Sequence, residues 1–339
     1  MAGNAGKKIM AVFKKAKKPA NTPPPKPVGG KKKLSVKTRF QLILLVLASF
    51  AAGVIYLLNY TGIMPFQDIL VRLGLSERPA TRADLEVHFI DVGQGDCTLI
   101  MSQGEVMLID SGDRDESNTV ERYLMKQGVK RINYLIATHP HADHIGEMAE
   151  IIGQFEVDNF IMPRFPAEYT PTTQVYENML NMLSAKDMTV TPAEDSEFTL
   201  GFCKVQLYAS GIKDSENLND YSVIVRLVHG ANSFLFTGDC ENTEEKNLLS
   251  RDLKLDAKVI KAGHHGSYTS SSAEFLDAVK PDYAVISCGR NNDYGHPHDA
   301  TLRRLKKYAD NIYLTPRDGN IVFISDGTGL SVECSKGKK

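Results

Sequence analysis

The run His139-Pro140-His141-Ala142-Asp143-His144 puts three imidazoles and a carboxylate within six residues. No apolar core uses such a run, so it demands a scaffold that carries it on a loop and lets the four side chains converge. His139 and His141 can point to one side while Asp143 and His144 reach a point a few ångströms away, which suits two metal ions better than one. Finger-type cysteine spacing is absent, and acidic and imidazole donors favour open, water-bearing coordination over a closed structural zinc site. Five of the nine histidines fall in this run and in His264-His265, which argues against chance placement.

The rest of the chain can supply that scaffold. With 42% apolar residues it can fill a core, and its five cysteines are too few and too scattered for a disulfide framework. Alternating apolar segments predict strands at 85–90, 97–101, 106–109, 133–137, 159–162, 204–209, 222–228, 233–236, 258–261, 283–287 and 321–324. Helical spacing is expected at 119–126, 173–185, 243–250, 273–279 and 299–308. Strands interleaved with helices make an α/β domain. The chemically distinctive groups, Gly93-Gln94-Gly95-Asp96, Asp110, the histidine run, Gly238-Asp239, Gly263-His264-His265 and His296-Pro297, mostly follow strands. Loops in that position can meet along one rim of a sheet.

Ahead of the domain lies a different kind of sequence. Residues 40–60 carry no charge, and about 20 apolar residues at 1.5 Å each span a hydrocarbon layer, so one transmembrane helix is expected. A cleaved signal peptide is the competing reading, since small residues at Ala48, Ser49, Ala51 and Ala52 resemble a cleavage site. Residues 1–39 hold twelve Lys or Arg, no acid and several prolines, and read as a disordered basic tail. Positive flanking charge keeps the N-terminus cytoplasmic and places a 61–83 stalk and the 84–335 domain outside the cell membrane. Residues 61–339 then carry 28 basic against 41 acidic residues, a formal charge of −13, which excludes a uniformly basic nucleic-acid binder.

The histidine run, with Asp110 upstream and Gly238-Asp239 and Gly263-His264 downstream, resembles the metallo-β-lactamase superfamily. FIDVGQGDC, LIDSG, THPHADHIGE, FLFTGD, GHHGSYTSSS and SCGRNNDYGHP are similar, more narrowly, to the C-terminal hydrolase domain of ComEC-type competence DNA-uptake proteins. The resemblance implies an αββα sandwich, two divalent metal ions, zinc or manganese, and a nuclease acting on a phosphodiester substrate such as DNA, with a DNA-uptake partner. It implies His139 and His141 on the first ion, Asp143, His144 and His264 on the second, and Asp239 between them. Asp110 would orient ligands, and His265, His296 and Ser267 would approach substrate oxygens. Asp143 is expected to orient the nucleophile, and His296 or Lys261 to donate to the leaving oxygen.

The superfamily usually supplies a further His before the bridging Asp, and His229 is the only one between 144 and 264. A hairpin pairing 229 with 233 puts that residue at the turn, far from Asp239, so it is not expected to be a ligand. Asn219 and Asp220, on the segment returning to Asp239, are expected in its place, and such harder donors move the first site from zinc toward manganese. The five cysteines are expected to be core residues, with Cys240 a weak ligand at most. A metallohydrolase of a wall-polymer phosphodiester, lipid head group or small molecule, and a non-catalytic binding module, are the rival readings.

Overall fold

The computed structural model describes residues 83–114 and 118–336, together with Lys37, Gln41, Leu45, Ser49 and Gly53. The chain divides into two units, Met1–Val54 and Ile55–Lys339. In the first, the five isolated positions are helical and exposed. Apart from those positions and residue 83, the expected basic tail, the 40–60 segment and the stalk lie outside the described residues. Among the described residues no helix is long and apolar enough to cross a membrane.

The second unit is a mixed α/β sandwich of two sheets. Strands β1 (Leu85–Phe89), β2 (Thr98–Ser102), β3 (Glu105–Ile109), β4 (Arg131–Ile136), β5 (Glu156–Met162), β6 (Val190–Pro192), β14 (Ile321–Ser325) and β15 (Leu330–Cys334) form one sheet, in the order β15-β14-β1-β2-β3-β4-β5-β6. The other runs β13-β12-β11-β10-β9-β8-β7. Its strands are β7 (Ser196–Leu200), β8 (Cys203–Tyr208), β9 (Ile224–His229), β10 (Asn232–Phe236), β11 (Val259–Lys261), β12 (Tyr283–Ile286) and β13 (Asn311–Leu314). All expected strands are present. The unexpected ones, β6, β7, β13 and β15, lie at or next to sheet edges, where burial is partial and the apolar alternation is weak.

Period-two alternation decides the layers. Val87, Phe89, Val225, Leu227, Phe234 and Phe236 point between the sheets into one core. Leu99, Leu108 and Leu135 point the other way, against α1 (Thr119–Lys126), α2 (Ala142–Ile145), α3 (Met148–Gln154) and α4 (Gln174–Ala185). On the far face of the second sheet, Ile224, Leu235 and Ile260 pack with α5 (Asn242–Leu249), α6 (Ala273–Val279) and α7 (Asp299–Leu305). Helix α1 begins without a cap from its own N-terminal residue, and the Glu147 carboxylate instead accepts from the amides of Val120 and Glu121, at 3.3 Å each.

Each sheet has an antiparallel part and a parallel part, and the parallel parts position the site. β3, β4, β5 and β6 run parallel, as do β10, β11, β12 and β13. Asp110, Thr138-His139, Gly238-Asp239 and Gly263-His264 therefore leave the carboxyl ends of neighbouring strands, with a short α8 (Thr315–Asp318) after β13. The Val223 amide donates 2.9 Å to the Thr138 carbonyl and ties the two sheets together there.

The β9–β10 hairpin turns one residue tighter than its sequence suggested. Asn232, not residue 233, pairs with His229, leaving a two-residue turn with Gly230 at φ 58°. Asn232 is held in the strand because its buried amide donates to Ser325 Oγ and the Gly329 carbonyl, at 2.8 Å each.

Candidate metal centre

Asp239 is the hub. Its Oδ2 lies 3.3 Å from His144 Nε2, 3.4 Å from His265 Nε2, and 3.8 Å from both His139 Nε2 and His264 Nε2. Asp96, His144, Asp239 and His265, all buried, each offer a donor atom within 4.8 Å of the others. Among the described residues, this is the group of three or more His, Cys, Asp or Glu side chains close enough to share an ion.

The imidazoles are aimed by what their other nitrogen meets. His265 Nδ1 lies 3.0 Å from the Ser287 carbonyl, which can only accept, so Nδ1 carries the proton and Nε2 faces Asp239. His144 Nδ1 donates 2.8 Å to Asp110 Oδ2, and His264 Nδ1 donates 2.8 Å to Glu241 Oε1. The Thr138 hydroxyl donates 2.7 Å to Asp110 Oδ2, which leaves its lone pair to accept from His139 Nδ1 at 3.2 Å. Asp110 thus sets the orientation of two histidines, directly and through one hydroxyl.

That arrangement requires unusual backbone. Asp110, His264 and His265 have φ of 58°, 46° and 53°, the left-handed region that side chains other than glycine avoid. Asp110 is held there by the Thr138 amide, which donates 2.8 Å to its Oδ1. Gly95, at φ 131°, packs so closely on the Asp143 carbonyl that any side chain would collide with it, and that fit sets Asp96 against the histidine loop.

The electrostatics favour added positive charge. Asp96, Asp110 and Asp239 gather around the ammonium of buried Lys261, which pairs with Asp96 and donates 3.0 Å to the Gly238 carbonyl. Burial pulls the His144 and His265 imidazoles down, yet the carboxylates around them, Asp239 foremost, hold both well above the usual histidine range. Burial alone would raise Asp239, but His144 and His265 keep it well below the usual carboxylate range. His139, where burial and the His144 charge dominate, is held low and neutral.

A divalent ion fits these residues. The buried atoms His144 Nε2, Asp239 Oδ1 and Asp96 Oδ1 make no hydrogen bond, a costly state for polar atoms away from water. An ion would displace protons from the raised imidazoles and use the same lone pairs.

The structure sorts the expected residues. His139 and His141 stand together, Nε2 to Nδ1 at 3.0 Å, and Asp143 Oδ2 lies 3.1 Å from His265 Nε2. His265 is in the buried group, whereas His264, the expected ligand of the pair, is a quarter exposed and sits 0.4 Å farther from Asp239, at 3.8 against 3.4 Å. Asn219 lines the cleft, donates 3.0 Å to Glu241 and has its Oδ1 buried without a partner. Asp220 instead accepts 2.7 Å from Ser215 Oγ and does not line the cleft. Ser267 bonds within its turn to Thr269 Oγ1 at 2.9 Å, and Lys261 is committed to Asp96. His296 does line the cleft, and burial, followed by the neighbouring imidazoles, pulls it down to about 4. His229 lies at the opposite end of the hairpin, with Nδ1 2.9 Å from Ser325 Oγ. The five cysteines are free, and the Cys240 thiol faces the Glu241 carbonyl, not the metal group.

Two participants have no assigned role in the sequence reading. Asp96 stands in the Gly-Gln-Gly-Asp group already marked as distinctive, but its pairing with Lys261 joins residues on different sheets. Glu241 follows Asp239 by two positions, and only the fold turns it back onto His264.

The centre opens into a cleft of about 370 Å³ lined by Gln94, His141, Asp143, Asp239, Tyr294 and His296 among others.

Comparison with known proteins agrees with this geometry. The profile of the Metallo-beta-lactamase superfamily matches residues 90–290. ComE operon protein 3 of Bacillus subtilis (strain 168) is 27% identical over 72% of this chain and 34% of its own length. Competence protein ComA of Neisseria gonorrhoeae is 30% identical over 83% of this chain and 38% of its own. Recombination protein 2 of Haemophilus influenzae is 30% identical over 70% of this chain and 28% of its own. The chain therefore spans about a third of the length of the curated relatives it matches. It belongs to the metallo-beta-lactamase superfamily of metal-dependent hydrolases.

Proposed function

We propose that this protein is a metal-dependent phosphodiesterase that cleaves DNA at the outer face of the cell membrane, anchored by residues 40–60. The observation that carries the reading is Asp239 Oδ2 within 3.8 Å of four imidazole Nε2 atoms, while buried His144 Nε2 and Asp239 Oδ1 make no hydrogen bond. Asp96, His144, Asp239 and His265 would hold one ion with Asp143 beside them. His139 and His141 would hold the other, with Asn219 alongside. Two divalent ions in such a site polarise a phosphoryl oxygen and make water acidic enough to attack at neutral pH.

The chain's own residues do the rest. Asp110 and Glu241 keep His144 and His264 turned so that Nε2 faces Asp239. Asp143, 26% exposed at its side chain and facing the cleft, is a carboxylate placed to accept a hydrogen bond from an entering water and so orient it. His296, neutral at physiological pH, reaches the cleft with its ring 5.4 Å from that of His264 and is placed to hold a substrate oxygen. The choice of DNA rests on the similarity to competence proteins. The −13 formal charge of residues 61–339 favours a second reading, a smaller phosphodiester that long-range repulsion does not turn away.

Full-length protein in detergent, supplied with Mn²⁺ or Zn²⁺, should cleave single-stranded or duplex DNA as well as bis-p-nitrophenyl phosphate. Turnover of the small diester alone supports the second reading, and no turnover with any of the three rejects both. Protease added to intact cells should remove the domain and spare a short N-terminal fragment. Full protection until lysis would reverse the topology.

A further inference from the structure

The mechanism above leaves one feature of the cleft unused. From the metal group a path of rings leads outward: His265 to His296 at 6.0 Å between centres, then His296 to Tyr294 at 5.6 Å with the planes only 17° apart. A second branch runs from His296 to His298 at 4.9 Å and from His298 to Tyr268 at 5.0 Å. Both branches end in exposed tyrosines, 65% for Tyr294 and 62% for Tyr268. The large apolar side chains exposed among the described residues are Leu45, Leu180, Phe202 and these two tyrosines, so two of the five belong to this one path.

Neither ring supports the fold in any way its burial would explain, yet both are held in place. Asn292 donates to the Gly289 carbonyl at 2.9 Å and to the His296 carbonyl at 2.6 Å, and accepts from the His296 amide at 2.9 Å, closing the loop that carries Tyr294. The Gly289 amide donates 3.0 Å to Gln94 Oε1, which fastens the start of that loop to the other sheet's side of the cleft. The Tyr268 amide donates 3.1 Å to His298 Nδ1. These are exposed aromatic faces on hydrogen-bonded loops, Tyr294 lining the cleft and Tyr268 joined to it through His298 and His296, and a planar π-system is the ligand they fit.

We propose that Tyr294, backed by His296, and Tyr268, backed by His298, form a stacking subsite for unpaired nucleobases, so that the cleft selects single-stranded nucleic acid. The proposal rests on the reading of the centre as a DNA phosphodiesterase. Base stacking on an aromatic side chain needs no sequence match, because every base has a π face. A duplex keeps its bases stacked on one another, and freeing one has an energetic cost. Stacking also answers the charge problem. An acidic domain repels a polyanion at long range, and contact with bases supplies affinity that the net charge withholds.

The test is anisotropy binding of the full-length protein, with chelator present to prevent cleavage, to a single-stranded oligonucleotide and to the same backbone carrying abasic sites. Tyr294→Ala should weaken binding of the base-containing strand about tenfold and change abasic binding less than about twofold. Tyr268→Ala should act in the same sense, and Tyr294→Phe, which keeps the ring, should bind like wild type. Equal wild-type affinity for the two strands, or equal losses on both in Tyr294→Ala, would overturn the subsite. Cleavage assayed separately tells the two ideas apart. Base-dependent binding without DNA cleavage upholds the subsite and rejects the phosphodiesterase reading, whereas DNA cleavage indifferent to Tyr294→Ala rejects the subsite alone.

Discussion

The floor and the rim of the cleft use the same residue type in opposite ways. On the floor, His144 and His265 are buried among Asp96, Asp110, Asp143 and Asp239, and each ring is aimed by a hydrogen bond at Nδ1. At the rim, His296 and His298 are framed by rings, and the Tyr294 and Tyr268 beside them are mostly exposed. Carboxylate neighbours hold the floor imidazoles protonated or metal-ready, whereas burial and positive neighbours hold His296 neutral near 4. Burial pulls all of these rings toward the neutral form, and only where carboxylates surround them, as at His144 and His265, is that pull reversed.

The floor should break at a single atom and the rim should not. Asp239→Ala removes the carboxylate shared by four imidazoles and should reduce phosphodiester turnover by about 100- to 1,000-fold, the usual loss for an electrostatic group at a reacting centre. Steady-state assays with bis-p-nitrophenyl phosphate check it. Asp110→Asn keeps the size of the side chain, but every neighbour of the carboxylate donates to it, so either orientation of the amide sets its NH2 against a donor, the Thr138 amide or the His144 imidazole. It should weaken metal binding by roughly 10- to 100-fold, read by titration of metal-free protein. Smaller again is Asn219→His, which should move the ratio of Zn²⁺- to Mn²⁺-supported activity toward zinc by a few fold. An unchanged ratio would show that this segment does not tune the first ion.

A buried carboxylate outside the cleft sharpens the comparison. Glu244, on α5, is fully buried like Asp239, but neither of its oxygens has a hydrogen-bond partner. Burial pushes it well above the ordinary 4.5. Because its folded pKa is the higher one, the native state holds the proton more tightly, and stability falls as pH rises above the unfolded value. Glu244→Gln should remove that loss. Its stability advantage over wild type should widen between pH 5 and 7 by at most about 1.4 kcal/mol per unit, measured by urea unfolding at both values. Parallel pH profiles would show that Glu244 carries no such penalty.

Much of this was legible before any coordinates. The apolar segments 85–90 and 233–236 mark strands, and both form them, with Val87, Phe89, Phe234 and Phe236 packed between the sheets. The histidine run pointed to a metal site because so dense a group of ligands has few other uses. Local patterns fail where partners come from far along the chain. Lys261 looked like a candidate donor, yet its strand ends opposite Asp96, and that ion pair keeps its ammonium from lining the cleft. His264 and His265 are adjacent in sequence, and which of them turns inward depends on two consecutive left-handed residues that no residue preference announces. The β9–β10 register slipped by one because Asn232 looks like a turn residue; partners far along the chain, Ser325, Gly329 and Lys258, bond its side chain and hold it in the strand.

Metal binding by three proteins tests the central claim most directly. Wild type, Asp239→Ala and His229→Ala would be stripped with chelator, dialysed against Mn²⁺ or Zn²⁺, and analysed for metal per chain. The account predicts stoichiometric metal in wild type and in His229→Ala, whose histidine only bonds Ser325 at the far end of the hairpin, and loss of at least one ion in Asp239→Ala. Equal metal in wild type and Asp239→Ala, or loss in His229→Ala alone, would contradict it.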